Sequence, residues 1–259
     1  MLGLNRADKP WNWSVYGKHP SFNDYINHQT GEKLVHALSI WVHNGSKLIY
    51  GKEKSNPLYS YRFWVKGIKK NDLVCGIIKN SSDSIGRTYP LFIAGHGRIH
   101  EWEKDWDIVF QVFDPLFETL ESLSAKRFKS FNEFASSLHS LKFNQSKWLN
   151  YRSMIKNPKK SDTGDMFPGY QEIIRLKNNK EPLKNDMSFS INRKCTQITL
   201  KQKSGFMNKI FKKKVPAPAC IFIGGLTQHP VLKIYNRPLV PEDLSDLFKI
   251  QDQSRPVTL

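Results

Sequence analysis

The sequence predicts an α/β (α+β) fold, in which a central, mostly antiparallel sheet is flanked by helices on both faces. Three strand-like runs, at 59–66, 73–81 and 89–95, follow one another closely. Their links are too short for a helical crossover, so these strands must pair as antiparallel hairpins. Helical periodicity fills much of 104–141, and strand-like runs return after residue 218. Strands near both ends of the chain, with helices between them, favour one layered sheet.

The first elements are a strand at 11–16 and a long helix at 30–49. The strand alternates large and polar residues, and Gly17 and Pro20 follow it. Residues 20–28 suit one or two helical turns. The long helix carries a continuous apolar stripe, so we expect Trp41, which lies on the stripe, to be buried under the sheet. Gly45 should weaken or end this helix.

Later elements are recognised by their first residues. Pro115 should interrupt a helix at 104–123. Ser130 and Glu133 form a capping box that begins the next helix, and Pro241 begins the last one. Weak patterns predict strands at 187–191 and 196–200. Clearer patterns predict strands at 219–225 and 231–235, joined by a short polar turn.

The chain organisation favours a single domain over residues 1–259. Its core motifs occupy 13–98, a basic and poorly patterned segment occupies 142–215, and closing strands and a helix occupy 219–250. The alternative is a protein of two lobes, divided somewhere in 142–186.

Composition is that of a globular protein, with 39% hydrophobic and 12% aromatic residues. The first residues lack the apolar stretch of a signal peptide, and no apolar run is long enough to span a bilayer. We therefore expect a soluble, cytoplasmic protein. Cys75, Cys195 and Cys220 are far apart without any CxxC spacing, which favours buried thiols over disulfides.

The net charge of +17 raises the question of nucleic-acid binding. Lysines outnumber arginines 30 to 10, whereas specific nucleic-acid sites favour the planar arginine fork. We therefore predict no nucleic-acid partner. A basic, partly amphipathic run at 206–215 would suit an acidic membrane or an acidic partner, but a solvated loop is our interpretation of it.

Known catalytic and metal-binding patterns are missing from the sequence. His36 and His43 are seven residues apart on the long helix. His96 and His100 are four residues apart, with Gly97 between them after a strand. Neither pair has an acidic ligand at a suitable offset, so we expect no metal and no cofactor. The sequence also lacks a nucleophile elbow, a phosphate-binding Walker loop and a kinase signature.

Two polar stretches interrupt the buried strands. They are YGKHPSFNDYI (16–26) and SDSIGRTYPLFIAG (81–94), and each combines glycine, proline and a charged residue at a strand end. We predict an ion pair between Arg87 and Asp24, because a carboxylate can accept two parallel bonds from a guanidinium. Tyr25 and Tyr89 would exclude water from this pair. The alternative is that Arg87 faces an anion supplied by a ligand or partner, and that Asp24 lies elsewhere.

These two stretches resemble the type VI secretion-associated TagF family, also called ImpM. The resemblance is firm over 13–98, weaker over 104–140 and modest over 219–250; Asn23 stands where the family often has glycine. The family motifs fall on Gly17, Lys18, Pro20, Ser21, Asp24, Trp41, Ser82, Asp83, Gly86, Arg87 and Pro90.

The resemblance implies an α/β accessory protein rather than an enzyme. Such proteins act in the bacterial cytoplasm as post-translational regulators, usually repressors, of type VI secretion. They are thought to contact the apparatus, notably its forkhead-associated scaffold protein. The alternative from a different class is a hydrolase or nucleotide-binding enzyme, with its site in a cleft at Asp24 and Arg87.

Overall fold

The computed structural model describes residues 11–49, 58–143, 145–156, 186–190, 217–226 and 229–248. The strands within these ranges are β1 (Asn12–Gly17), β2 (Ile26–His28), β3 (Ser60–Lys66), β4 (Asp72–Ser82), β5 (Thr88–Arg98), β6 (Asp186–Ser190), β7 (Cys220–Leu226) and β8 (His229–Tyr235). The helices are α1 (Lys33–Ile49), α2 (Val109–Val112), α3 (Asp114–Ala125), α4 (Phe131–His139), α5 (Gln145–Lys156) and α6 (Pro241–Phe248). A 3₁₀ segment, Trp102–Ile108, precedes α2.

The described strands form one eight-stranded sheet in the order β2-β1-β5-β4-β3-β7-β8-β6. Every pairing between them is antiparallel. The predicted sheet of β1, β3, β4 and β5 is therefore confirmed. Short links impose this arrangement on β3, β4 and β5, and β1 then pairs along the free side of β5.

Helices cover both faces of the sheet, as the sequence predicted. The segment from the 3₁₀ turn to α5 packs on one face, where Trp64 of β3 is fully buried. Helices α1 and α6 pack on the other face, where Phe63 of the same strand lies. Trp41 of α1 is buried there against Phe222, which confirms the predicted face of that helix.

One local prediction was wrong and another was wrong in part, because Gly45 does not end the helix predicted to reach residue 49. Residues 20–28 do not form helical turns; a bend leads into β2, which pairs with β1 because the edge of β1 is otherwise open. Helix α1 also continues past Gly45 to Ile49. The glycine is needed for close packing, since a Cβ at position 45 would lie 2.6 Å from a Leu244 side-chain atom of α6.

Helix α5 was not predicted, because it lies in the poorly patterned segment 142–215. Three predicted helix starts agree with the structure. Pro115 lies in the first turn of α3, Ser130 accepts the Glu133 amide hydrogen bond at the start of α4, and Pro241 begins α6. The strand expected at 187–191 is β6. The expected strand at 196–200, the basic run at 206–215 and Cys195 lie outside the described residues.

The two halves of the chain share this sheet, because β7 pairs with β3. The single-domain organisation stays a prediction. In the described ranges, no helix combines the length and apolar character that a membrane span requires. Cys75 and Cys220 are buried free thiols, as expected.

Candidate functional site

Both family motifs reach the same end of the sheet. Strand β1 ends at Gly17, opposite Leu91 of β5, and the β4–β5 hairpin turns beside it. Gly17 has a φ of +115°, and a Cβ there would overlap the carbonyl oxygen of Pro90. Glycine is required for both reasons. It brings the motif loop (residues 18–25) next to the hairpin turn (residues 83–87).

Asp83 lies at the centre of the site, with its side chain fully buried. Its Oδ2 atom is 2.9 Å from the Lys18 ammonium and 2.6 Å from Arg87 Nε. Its Oδ1 atom accepts the backbone N–H groups of Ile85 and Arg87 at 3.2 and 2.8 Å. Burial alone raises the pKa of Asp83, but the hydrogen bonds from Lys18 and Arg87 outweigh it and hold the pKa well below its usual range.

The predicted Arg87–Asp24 ion pair is wrong. Arg87 pairs with Asp83, and its Nη2 donates to the Asn23 carbonyl at 2.6 Å. Asp83 is preferred because it lies in the same turn, where two backbone N–H groups already orient it. Asp24 is exposed and accepts the Tyr25 amide hydrogen bond at 2.7 Å instead.

Tyrosine side chains surround the ammonium side of the cluster. The Lys18 ammonium is 4.9 Å from the centre of the Tyr25 ring, and that ring packs edge-on against Tyr89 at 4.7 Å. The Tyr89 hydroxyl lies 3.2 Å from that of Tyr16 and 3.3 Å from His43 Nδ1. Burial raises the pKa of Tyr89. Tyr25 thus covers the Lys18 ammonium and Tyr89 supports the Tyr25 ring, whereas the predicted Arg87–Asp24 pair does not form.

The motif loop is also fixed to helix α3 through His19. This fully buried ring donates from Nε2 to the Leu123 carbonyl at 3.0 Å and accepts the Ser21 amide at Nδ1. That pattern requires the neutral ring, and burial accordingly lowers the pKa of His19. Ser21 Oγ accepts the Phe128 amide at 2.9 Å. The loop between α3 and α4 is thereby held next to the motif loop.

The remaining motif residues play different structural parts. The Pro20 carbonyl accepts a hydrogen bond from Arg127. Gly86 has a φ of +86°, which suits the tight hairpin turn, and Ser82 pairs with Thr88 just before that turn. Trp41 is not part of the cluster: its indole donates to the Val240 carbonyl at 2.7 Å and connects α1 to the start of α6.

Sequence reasoning missed several residues that complete the site. Ser84 donates to the Asn23 side chain, and its amide donates to the Phe22 carbonyl at 2.9 Å. The run Lys126, Arg127 and Lys129 also lies beside the motif loop, although it is more than 100 residues away in sequence. The polar, serine-rich turn was the signal in the sequence for the Ser84 contacts. No signal in the sequence pointed to the contact between the basic run and the motif loop.

Metal ligands do not converge in the described part of the chain, where no three His, Cys, Asp or Glu side chains could hold one ion. The nearest arrangement is at His96. Its Nδ1 lies 3.3 Å from a Glu32 oxygen, while Nε2 lies 3.9 Å from an Asp72 oxygen. The two carboxylates face opposite nitrogens of the ring and so cannot share an ion with it.

Comparison with solved structures finds a similar fold. The crystal structure of PA0076 from Pseudomonas aeruginosa PAO1 matches with a TM-score of 0.50 and 15% sequence identity, covering 95% of this chain and 98% of that one. At this identity the likeness concerns the fold alone. A search among curated proteins found no match.

Comparison with protein families is more specific. Residues 14–142 match the model of the TagF N-terminal domain, described as type VI secretion system-associated. The match includes the motif loop, the hairpin turn and the loop between α3 and α4, which together form the site described above. With this domain, the chain belongs to the TagF family of type VI secretion-associated proteins.

Proposed function

We propose that this protein is a cytoplasmic, post-translational regulator of type VI secretion that acts by direct contact with the apparatus or its forkhead-associated scaffold. Repression is the direction that family resemblance favours. One observation carries the proposal of a contact surface. The family motifs meet in a pre-formed cluster, and Tyr25 and Ile85 are 50% and 67% exposed beside it.

A binding role suits this cluster better than catalysis. The buried carboxylate at its centre is engaged by two cations and two backbone donors. Its lowered pKa keeps it ionised and leaves it a poor proton acceptor. The hydrolase alternative also required a cleft between Asp24 and Arg87, and these side chains do not pair.

Co-purification from cells that carry the type VI secretion cluster tests the proposal. The tagged wild-type protein should retain a component of the apparatus, such as the forkhead-associated scaffold. Overproduction of the wild-type protein should lower secretion, and deletion should raise it. The double variant Tyr25→Ala with Ile85→Ser should neither retain the component nor lower secretion when it is overproduced, because large exposed side chains supply much of the energy of protein interfaces.

The matched control is Ile68→Ser. Ile68 is 79% exposed in the β3–β4 turn, at the opposite end of the sheet, so its loss should leave binding and secretion unchanged. Recovery of no secretion component with the wild-type protein, or unaltered secretion on deletion and on overproduction, would refute the proposed function.

A further inference from the structure

We propose that this end of the sheet binds an acidic segment of a partner protein, one that inserts an apolar side chain between basic residues. The inference rests on the proposed function and names the surface and the chemistry of its partner. The surface comprises the motif loop (18–25), the hairpin turn (83–87) and the basic loop (126–129).

Hydrogen bonds join these three segments into one continuous surface. The motif loop lies in the middle. Its Asn23 carbonyl accepts from Arg87, and its Phe22 carbonyl accepts from the Ser84 amide. On the other side, Ser21 Oγ donates to the Lys126 carbonyl at 3.4 Å and accepts the Phe128 amide. A partner would therefore meet a pre-formed surface, which lowers the entropic cost of binding.

This surface exposes more cations than carboxylates. Lys126, Arg127 and Lys129 are exposed on the basic loop, and the Arg87 side chain is 54% exposed on the hairpin turn. Asp83 contributes no exposed anion, because its side chain is fully buried. The exposed carboxylates nearby are Asp24, and Glu133, which accepts the Lys129 amide hydrogen bond. The excess of cations is complementary to an acidic partner.

Apolar side chains accompany these cations. Tyr25 leaves half of its surface open, although Tyr89 and the Lys18 ammonium hold the ring in place from below. Ile85 projects from the hairpin turn two residues before Arg87. A fixed aromatic ring on the motif loop and an exposed isoleucine on the adjoining hairpin turn suit an apolar side chain of a partner, at little cost in side-chain entropy.

This mixture favours a protein segment over a uniform polyanion. A nucleic-acid backbone or an anionic bilayer presents phosphate at every position, and the exposed Asp24 carboxylate would oppose it. An acidic polypeptide can place an amide or an apolar group opposite Asp24, where a phosphate would be repelled. Ile85, for its part, offers nothing to the phosphates of a nucleic acid, but it buries apolar area against a side chain.

Site-specific cross-linking in cells that carry the secretion cluster tests this surface. Ile85 is replaced by photoreactive p-benzoylphenylalanine in the full-length protein, and Ile68 is replaced likewise as the control. Mass spectrometry of the products should identify a segment rich in Asp and Glu that also contains an apolar residue, joined at position 85 and not at position 68.

Charge reversal supplies the second measurement. Lys126→Glu with Lys129→Glu should lower the yield of the cross-link at position 85 on the order of tenfold, because like charges would then face each other. The matched control is Lys69→Glu with Lys70→Glu, in the exposed β3–β4 turn. It should leave the yield unchanged.

The outcomes separate this inference from the proposed function. An acidic segment joined at position 85, but belonging to a protein outside the secretion apparatus, supports the surface and refutes the proposed function. A secretion component joined at position 68 alone refutes the surface and leaves the proposed function standing. A product at position 85 that is neutral, basic, nucleic acid or lipid overturns the inference. So does a yield that is insensitive to the Lys126/Lys129 reversal, or the lack of any product at position 85.

Discussion

Two clusters of charged side chains in this molecule have similar chemistry and opposite exposure. On β3, Arg62 donates to both oxygens of Glu121 at 2.7 and 2.8 Å and to Asp114 at 2.8 Å. Its side chain is only 11% exposed between the sheet and α3. At the end of the sheet, Asp83 holds Lys18 in the interior and Arg87 at the surface. The first cluster is closed around its arginine, although 37% of the Glu121 side chain stays exposed, whereas the second leaves Arg87 open to solvent.

The difference separates a structural role from a role in recognition. Arg62 directs its Nε, Nη1 and Nη2 atoms to carboxylates of this chain, so few donors remain for a partner. Burial alone would lower the pKa of Arg62, but hydrogen bonds to Glu121 and Asp114 raise it. Arg87 directs one edge of its guanidinium inward and exposes the rest. An ion pair is therefore not by itself a sign of a role in recognition. It matters more whether the guanidinium still directs N–H groups toward solvent, where a partner can bind them.

The largest effect on stability should come from breaking the closed cluster. Arg62→Ala leaves the Asp114 and Glu121 carboxylates without their shared cation. Loss of one partner of a buried ion pair costs about 3–5 kcal/mol, and the loss here should lie toward the lower end, because water reaches the 37% exposed Glu121 side chain. Denaturant unfolding measures the free energy. Arg98→Ala is the control, because Arg98 pairs with Asp72 while 56% exposed, and such pairs contribute about 0.2–1 kcal/mol. Equal losses in the two variants would show that the Arg62 cluster is not closed.

A smaller loss should follow from breaking the buried half of the open cluster. Asp83→Asn removes the negative charge that pairs with Lys18, and it weakens the hydrogen bonds that the Asp83 carboxylate accepts from the Ile85 and Arg87 amides. The melting temperature should fall by less than in Arg62→Ala and by more than in Asp24→Asn, whose carboxylate is exposed. A fall no larger than that of Asp24→Asn would contradict the central position of Asp83.

The pH dependence of stability tests how His19 fixes the motif loop to helix α3. The folded protein holds His19 neutral, with a pKa below the ordinary 6.5. The unfolded chain therefore binds the proton first as pH falls, and stability present above pH 6.5 is lost below it. The loss has an upper limit of about 1.4 kcal/mol per pH unit for one proton.

His19→Gln should flatten this dependence between pH 7 and 5, because the amide does not titrate. Denaturant unfolding at several pH values measures the slope. The control is His36→Gln, since His36 is exposed on α1 and bonds to the Gln29 side chain. An unchanged slope in His19→Gln would mean that the ring already takes up its proton in the folded protein.

The sheet was predictable, whereas its ion pairs were not. Short links dictate the β3–β4–β5 hairpins, and helical periodicity placed Trp41 on the correct face of α1, because backbone geometry and burial act locally. The choice of Asp83 over Asp24 depends on where two loops end in space. Both carboxylates were near glycine turns, and only the folded structure shows that Asp83 accepts two backbone N–H groups of the Arg87 turn, whereas Asp24 accepts one, from Tyr25.

Distance in sequence also limited what could be inferred about the candidate surface. The basic loop contacts the motif loop through Ser21 and Pro20, across more than 100 residues. The partners of Arg62 are 52 and 59 residues away. Contacts of this kind follow from the packing of α3 against β4 and α4 against β1, and periodicity gives the faces of these elements but not their relative position.

The smallest effect on stability, and the most informative about recognition, should come from Arg87→Lys. Arginine reaches Asp83 with Nε and the Asn23 carbonyl with Nη2, whereas a lysine ammonium can satisfy one of these acceptors well. Because the Arg87 side chain is 54% exposed, water can replace the lost bond, and the melting temperature should stay close to that of the wild type. The yield of the cross-link at position 85 should nevertheless fall, because the exposed edge of the guanidinium is lost. Arg98→Lys, at a half-exposed arginine in the opposite, final position of β5, should change neither quantity. If Arg87→Lys instead lowers the melting temperature as much as Asp83→Asn does and leaves the cross-link intact, the open cluster is structural throughout, like the closed one around Arg62.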